Sequence, residues 1–294
     1  MGFKLFLLLE KFLLILPKGI RKSFFTLLAF IAYHASARYR NVAKQNLEFA
    51  FDGKISKEKI KEITKYSFKN LLLNFMHLME FKSMSNEDLA KKVKIVNLQA
   101  VTKVHKEGRA VIYIASHYCA WELGVASIST FAEPIAAIYK KMKNQAYQEW
   151  LLDARANFGS IPLEKSNVIR PIIKLIKKQK ASGILIDTNI NPREGVIVNF
   201  MGKNIRQTST PAYLARKFNA AIIPVSIRTD DEENYTMTIY DEIKVNKTDN
   251  EKKDIQEATQ LQADWLTKLI EDEPKFWFWI HRRWKNDYPE IYKK

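Results

Sequence analysis

The sequence predicts an α/β fold: one domain with a largely parallel or mixed central sheet covered by helices, preceded by an N-terminal membrane-associated helical segment. From residue 93 onward, short apolar runs alternate with helical patterns, which is typical of strand–helix–strand units. A chain of 294 residues with 47% hydrophobic and 27% charged residues can bury a full core. No repeat or flexible linker divides the chain, so we expect an anchor at residues 1–40 and one domain at residues 41–294.

The first forty residues have the pattern of a helix that lies in a membrane interface. Their longest apolar run, residues 24–33, is shorter than the roughly 18 to 20 residues of a membrane span. Lys4, Lys11 and Lys18 form one stripe of a helix whose remaining surface is mostly Leu and Phe. Residues 17–19 break this helix before a second apolar segment begins. We therefore expect an interfacial helix or a short tilted hairpin, with lysines on lipid phosphates.

Two other interpretations of this segment remain open. A signal peptide would be cleaved near Ala35-Ser36-Ala37, but its first region would be apolar and would contain Glu10. A helix pair packed on the domain's own core is the plainer alternative.

The later elements are predicted from apolar periodicity and from their end signals. Residues 56–82 form a long helix, and Ser85 with Asp88 opens another through a capping box. Strands are expected at 93–96, 111–115, 135–139, 183–187, 196–200 and 221–227, with 235–240 as an outer strand. Helices are expected at 120–131, 144–158, 167–180, 209–218 and 250–272. Ligands of such sheets bind beyond the carboxyl ends of the strands, where His117 and Asp187 fall.

The stretch SHYCAWELG, residues 116–124, places Glu122 five residues after His117. On a continuous helix these side chains would not share a face, but a bend between a strand and a helix can bring the carboxylate onto the imidazole. A histidine oriented in this way is a general base, worth about 10² to 10⁴ in rate. The free amides of the first helical turn can face developing negative charge. This arrangement suits removal of a proton from an alcohol that attacks a carbonyl.

The net charge of +16 predicts an anionic partner, whether nucleic acid, lipid head groups or an acidic protein. The segment FWFWIHRRWK, residues 276–285, mixes tryptophans with His281, Arg282 and Arg283, as nucleic-acid sites and membrane-interface belts both do. Since the chain opens with an apolar interfacial segment, we expect phosphorylated lipid and no nucleic acid.

No cofactor or metal is expected, because the five histidines show no cluster at ligand spacing and the nine glycines form no phosphate loop. Cys119, the single cysteine, excludes an internal disulfide. Cys119 is disfavoured as a nucleophile because it lies two residues from His117 and has no base of its own.

Four ordered blocks resemble those of the bacterial lipid A (lipopolysaccharide) late acyltransferases, the lauroyl/myristoyl transferase family of the lysophospholipid-acyltransferase-like superfamily. The stretch SHYCAWELG resembles the family's H-x4-E block. The other three are LLDARANFGSIPL at 151–163, ILIDTNINPREGVIVNFMGKNIRQTSTPAYLARKF at 184–218 and FWFWIHRRWK at 276–285. The resemblance covers roughly residues 35–285. One departure is Thr188, where the family commonly has Gln after the Asp; it affects acceptor details at that position.

The resemblance implies an acyltransferase on the cytoplasmic face of the inner membrane of a Gram-negative cell. It would move a fatty acyl chain from acyl carrier protein to a hydroxyl of a Kdo-bearing lipid A precursor, a phosphorylated glycolipid, without an acyl-enzyme. His117 would be the base and Glu122 its orienting partner.

Five further residues are predicted to bind substrate. Arg155 would contact a substrate phosphate or the active site, and Asp187 would pair with an arginine such as Arg155 or position the acceptor. Arg206, Arg282 and Arg283 would bind phosphates of the glycolipid, for which a planar guanidinium is suited.

Two other functions remain open. An acyltransferase for glycerolipids or another glycolipid would use the same histidine–acid logic, although glycerolipid enzymes usually have H-x4-D and a Pro-Glu-Gly-Thr-Arg-type block that this chain lacks. A non-catalytic basic protein would bind membranes or nucleic acid through total charge, and that binding would fall with salt.

Overall fold

The computed structural model describes residues 2–166, 168–191 and 193–293, and a seven-stranded sheet lies at its centre. The strand order is β1-β9-β8-β2-β5-β3-β4, and a separate hairpin pairs β6 with β7. The strands are β1 (Val93–Val96), β2 (Val111–Ala115), β3 (Ile135–Tyr139), β4 (Ile161–Glu164), β5 (Ala181–Leu185), β6 (Val196–Phe200), β7 (Lys203–Gln207), β8 (Ala221–Arg228) and β9 (Tyr235–Ile239). All neighbours in the large sheet are parallel except β8 and β9. The predicted α/β class, with a mostly parallel sheet, is confirmed.

Helices precede the sheet and connect its strands. They are α1 (Gly2–Ile15), α2 (Lys18–Ala35), α3 (Ala37–Ala50), α4 (Lys57–Phe81), α5 (Asn86–Lys92), α6 (Gln99–Lys106), α7 (Trp121–Phe131), α8 (Gln145–Ala156), α9 (Ile169–Lys177), α10 (Thr210–Phe218) and α11 (Glu251–Asp272). Ser85 caps α5 through the expected capping box with Asp88. The central strands β2 and β8 are buried along nearly their whole length, as parallel strands covered on both faces require.

Four details of the predicted sheet are wrong. The strand at 235–240 is not outermost, because β1 pairs with its free edge. The strand predicted at 196–200 forms, but it pairs with β7 outside the sheet. The strand β5 begins and ends two residues earlier than the predicted range 183–187. Strands β4 and β7 were not predicted, because IPLE and KNIRQ contain few apolar residues.

The N-terminal helix pair packs on the body of the protein through its inner face. Leu13 of α1 and Phe25 of α2 belong to the same core as the sheet. Arg21 of α2 links both helices to the body of the protein. Its Nε donates to Glu80 of α4 at 3.0 Å, and its Nη1 donates to the carbonyl of Leu13 of α1 at 3.2 Å. For this face the plainer sequence interpretation, a helix pair on the domain's own core, is confirmed.

The outer face of the same helix pair is apolar and exposed. It includes Leu5, Leu8, Phe12 and Ile15 of α1, of which Ile15 is 83% exposed. On α2 the exposed apolar side chains are Ile20, Leu27, Phe30 and Ile31. No helix of the described residues is both long enough and apolar enough to cross a bilayer. Several exposed large apolar side chains on one helix pair are uncommon on a protein surface.

Candidate active site

His117 lies in a turn that two asparagines of α4 hold in place. The strand β2 ends at Ala115, and the chain then passes through Cys119, whose φ of 49° is in the left-handed region, before α7 begins. Asn70 and Asn74 donate to the carbonyl oxygen of Cys119 at 2.9 and 2.8 Å. The side-chain oxygen of Asn74 also accepts from the backbone N–H of Glu122 at 3.2 Å. These bonds stabilise a backbone conformation that a non-glycine residue adopts at a cost.

The carboxylate that orients His117 is Asp187. Its Oδ1 lies 3.0 Å from Nδ1 of the imidazole, and its Oδ2 accepts from the backbone N–H of His117 at 2.8 Å. The two residues follow the neighbouring parallel strands β2 and β5, whose carboxyl ends meet at this edge of the sheet. Asp187 is buried and His117 is partly exposed to the cavity beside it.

The charges of this pair stabilise each other. Burial would lower the pKa of His117, but the charge and hydrogen bond of Asp187 outweigh burial and raise the pKa above its ordinary value. Burial would raise the pKa of Asp187, but His117 lowers it to about 2. Asp187 is therefore ionised at neutral pH and favours an imidazole that has taken up a proton.

Glu122 does not contact His117, so its predicted role as orienting partner is wrong. Its two oxygens accept from Nε and Nη2 of Arg155 at 2.9 and 2.7 Å, and Nε1 of Trp121 donates to Oε1 at 3.1 Å. The prediction that Asp187 pairs with Arg155 is wrong for the same reason. Burial would lower the pKa of Arg155, but Glu122 raises it. The bend after His117 turns Glu122 toward α8 instead of the imidazole.

Three residues of the C-terminal segment hold the loop that carries Asp187. Nε1 of Trp277 donates to Oδ2 of Asp187 at 3.0 Å. Nη1 of Arg283 donates to the carbonyl of Thr188 at 3.2 Å, and Nε2 of His281 accepts from the backbone N–H of Asn189 at 3.0 Å. Burial lowers the pKa of His281 to about 4, which keeps it neutral as this acceptor requires.

The same C-terminal segment also pairs with the turn around His117. The N–H of Phe278 donates to the carbonyl of His117 at 3.0 Å, and the N–H of Cys119 donates to the carbonyl of Phe276 at 2.9 Å. Both members of the His117–Asp187 pair are thus fixed by one stretch of chain that is distant in sequence.

The expected membrane belt of this segment is wrong. Trp277, Trp279 and Trp284 are almost completely buried, with the ring centroids of Trp277 and Trp279 4.7 Å apart. Arg283 is buried beside them, and burial lowers its pKa to about 10. Trp277 and Arg283 are therefore structural here, each with a hydrogen-bonding end on the loop and an apolar body in the core.

The three arginines predicted to bind acceptor phosphates do not line the cavity beside His117. The guanidinium of Arg282 lies over the ring of Tyr292, 5.4 Å from its centroid. Arg206 faces Asp287, with Nε 4.0 Å from Oδ1. Their assignment as substrate-binding residues therefore stays a prediction, whereas Arg155 does line the cavity.

A cavity of about 910 Å³ opens beside His117. The polar residues of its lining that are exposed or partly exposed mark its mouth, namely Arg155, Lys165, Thr188, Asn189, Asn191, Glu194, Thr208, Ser209 and Thr210. The buried Ser116 and Glu122 also line it. Its deeper wall is apolar and is formed by α7 and the strands β2, β3, β5, β8 and β9. Its size and its mixture of a few polar groups with apolar walls are those of a small-molecule site. Among the described residues no group of His, Cys, Asp and Glu could hold a metal ion.

Sequence reasoning missed Asn70, Asn74 and Trp277. The two asparagines lie four residues apart on an otherwise apolar stretch of α4, so both face the core. Buried side-chain amides need hydrogen-bond partners. Two asparagines four residues apart on an apolar helix face were therefore the sequence signal for a bound loop. The link between Trp277 and Asp187 has no local signal, because 90 residues separate them.

Comparison with known proteins gives similarity over nearly the whole chain. Residues 2–286 match the model of the family described as bacterial lipid A biosynthesis acyltransferase. A lipid A biosynthesis palmitoleoyltransferase of Escherichia coli (strain K12) is 24% identical over 84% of this chain and 79% of its own length. A lipid A biosynthesis acyltransferase of Haemophilus influenzae is 21% identical over 88% and 80%. A phosphatidylinositol mannoside acyltransferase of Mycolicibacterium smegmatis is 21% identical over 70% and 66%.

Proposed function

This chain belongs to the bacterial lipid A biosynthesis acyltransferase family, and we propose that it transfers a fatty acyl chain from acyl carrier protein to a hydroxyl of a Kdo-bearing lipid A precursor. The observation that carries the proposal is the His117–Asp187 pair at the mouth of an apolar cavity. A base beside an apolar pocket suits a reaction in which one substrate is a hydroxyl and the other a long acyl chain.

His117 acts as the general base. Its Nδ1 is engaged by Asp187, so Nε2 is the nitrogen that accepts the proton of the acceptor hydroxyl. The hydroxyl oxygen attacks the thioester carbonyl, the carbon–sulfur bond of the tetrahedral intermediate breaks, and the departing thiolate takes the proton back from His117. Asp187 stabilises the imidazolium between these steps.

Cys119 takes no part in this reaction. Burial raises the pKa of its thiol, which therefore stays protonated and poorly nucleophilic. Its side chain is buried, and its carbonyl is committed to Asn70 and Asn74. The direct transfer without an acyl-enzyme is consistent with this environment.

Glu122 orients Arg155 at the wall of the cavity. Two parallel hydrogen bonds fix the plane of the guanidinium, which a single bond would not do. We assign Arg155 to electrostatic binding of the reacting groups, because it lines the same cavity as His117. Glu122 is then a positioning residue.

The mouth of the cavity offers different chemistry to the two substrates. Lys165 lines it, and the exposed Lys140, Lys141 and Lys143 follow the neighbouring strand β3. These lysines suit an acidic carrier protein. Thr188, Asn189 and the hydroxyls of residues 208–210 suit the sugar of the acceptor.

The exposed apolar face of α1 and α2 suits the cytoplasmic surface of the inner membrane, where the acceptor would be found. Lys4, Lys11 and Lys18 are exposed beside this face and would reach lipid phosphates. Attachment is by a helix pair lying in the interface, with one face on the protein core and the other in the bilayer.

Replacing Phe12 and Ile15 by glutamate is expected to lower binding to anionic vesicles about tenfold or more, since each apolar side chain contributes about 1.5 to 3 kcal/mol on burial. Cosedimentation measures the effect. Leu261→Glu, on a half-exposed position of α11, is the matched control and should bind as the unmodified chain does. An equal loss of vesicle binding in Leu261→Glu would mean that α1 and α2 are not the membrane-binding surface.

Transfer to another glycolipid is the second candidate. One relative bears the name phosphatidylinositol mannoside acyltransferase, and this chain has Thr188 at the position where the resemblance predicts Gln. The hydroxyls and amides at the mouth suit sugars in general.

The test uses membranes that contain the protein, acyl carrier protein loaded with a labelled fatty acid, and three acceptors in parallel: a Kdo-bearing lipid A precursor, a phosphatidylinositol mannoside and a lysophospholipid. Transfer to the first acceptor alone is expected. Transfer only to the second would establish the other glycolipid, and transfer to none would leave a non-catalytic membrane binder.

A further inference from the structure

Tyr113 lines the inner part of the cavity, and among the strand residues that line it only Ile135 of β3 lies further from His117 along the sheet. Tyr113 precedes His117 by four positions on β2, which is a depth of about 13 Å along the strand. Tyr113 is in register with Gly183 of β5, and Gly183 is in register with Ala137 of β3. Because side chains two positions apart share a face, Ala115 lies above Tyr113 on the same wall. The tyrosine ring is thus the bulky group at a level of the sheet where its neighbours are glycine and alanine, with Ala115 above it.

A chain of hydrogen bonds holds this ring from behind. The hydroxyl of Tyr113 donates to Oε1 of Glu133 at 3.2 Å, and the same oxygen lies 2.9 Å from Nε2 of His105. Glu133 and His105 line a second cavity of about 340 Å³, which also includes Arg109 and Lys180. Tyr113 therefore lies between the apolar cavity and a polar one.

The polar groups behind Tyr113 are unsuited to hydrocarbon. If the methyl end of an acyl chain passed the tyrosine ring, it would desolvate Glu133 and separate it from His105. Burying a polar group without its hydrogen-bond partner is costly. The ring and its partners therefore oppose a longer chain both by volume and by chemistry.

We propose that Tyr113, held by Glu133 and His105, sets the longest acyl chain that the enzyme accepts. The inference rests on the proposed function, because it assumes that the acyl chain occupies this cavity. Tyr113 is the specificity-determining residue, and Glu133 and His105 are positioning residues that act through it.

Gly183 sets the width of the same region. A Cβ at this position would lie 3.4 Å from Cδ1 of Ile135, which also lines the cavity. A methyl group here would narrow the channel next to Tyr113. Substitutions at the two positions are expected to have opposite effects. A smaller side chain at Tyr113 should admit longer acyl chains, and a larger one at Gly183 should favour shorter acyl chains.

The experiment measures kcat/KM for acyl carrier donors that increase by two methylenes at a time, with the acceptor held constant. Tyr113→Leu is expected to raise the relative rate of donors longer than the unmodified enzyme's optimum by about tenfold or more, since one methylene in an apolar pocket is worth about 10-fold to 200-fold. Gly183→Ala is expected to move the optimum to shorter donors. Glu133→Gln keeps the ring and weakens its tether, and should weaken discrimination against long donors.

Tyr235→Phe is the matched control. Its hydroxyl is also buried in a hydrogen bond, 3.2 Å from Nε2 of His77, but the residue does not line the cavity. Its donor preference should equal that of the unmodified enzyme.

Unchanged donor preference in both Tyr113→Leu and Gly183→Ala, with transfer retained, would overturn the inference and leave the proposed function standing. If Tyr113→Leu does not fold, Gly183→Ala and Glu133→Gln decide the question in the same assay. Absence of transfer by the unmodified enzyme with every donor would overturn the proposed function instead.

Discussion

His117→Ala is expected to lower kcat about 10²-fold to 10⁴-fold, because it removes the base that we propose accepts the proton of the acceptor hydroxyl. The substitution leaves Asp187 with the donors at the backbone of His117 and at Trp277, so the fold should persist. Steady-state transfer assays at saturating substrate measure the effect. Full activity in this variant would move the base to another residue.

Asp187→Asn provides a finer test of the same pair. In the proposed mechanism the neutral imidazole is the active base, so activity is expected to fall as pH decreases through the pKa of His117, which the carboxylate raises above its ordinary value of about 6.5. Replacing the carboxylate removes this effect, and the acid limb of the pH–rate profile should move to lower pH while kcat falls. An acid limb that keeps its position in Asp187→Asn would exclude Asp187 as the group that raises the pKa.

Arg155→Met is expected to lower the free energy of unfolding by about 3 to 5 kcal/mol, the usual cost of leaving one member of a buried ion pair without its partner. The Glu122 side chain is only 5% exposed, so water cannot replace the guanidinium effectively. Denaturant unfolding measures the change. The double variant Glu122→Gln, Arg155→Met should recover much of the stability, because no charge is left unpaired and the glutamine oxygen still accepts from Trp121.

A surface pair gives the control for this experiment. Lys59 and Glu62 are joined at 3.0 Å but are about half exposed, so Lys59→Met should cost at most about 1 kcal/mol. Activity distinguishes the roles further. Glu122→Gln is expected to move the acid limb less than Asp187→Asn does, because Glu122 raises the pKa of His117 by its charge and makes no hydrogen bond to it. An equal shift in the two variants would mean that Glu122 acts on the imidazole directly. If Arg155→Met unfolded like the unmodified chain, the pair would have no structural role.

Together these variants separate two functions that the sequence assigned to one motif. In the structure, the histidine of the H-x4-E block is oriented by an acid 70 residues away, and the glutamate of the block fixes an arginine 33 residues away. The two side chains of the block therefore have separate partners: His117 is held by Asp187, and Glu122 holds Arg155 at the wall of the cavity.

The sequence by itself determined the fold class, most of the strands and helices, and the position of His117 and Asp187 at the carboxyl edge of the sheet. These features follow from local apolar periodicity and from the rule that parallel strands present their carboxyl ends together. The four motif blocks were sufficient to identify the family that the comparisons show.

Only the tertiary structure decided which groups touch. The partner of His117, the burial of Trp277 and Arg283, and the hydrogen bond that holds Tyr113 at the wall of the cavity depend on contacts between residues that are far apart in the chain. Charge and aromatic content do not distinguish a segment at the membrane interface from a buried segment that holds a loop, because the same types of side chain are found in both. The direction of a side chain after a bend depends on what packs against the bend, which for Glu122 is α4 on one side and α8 on the other.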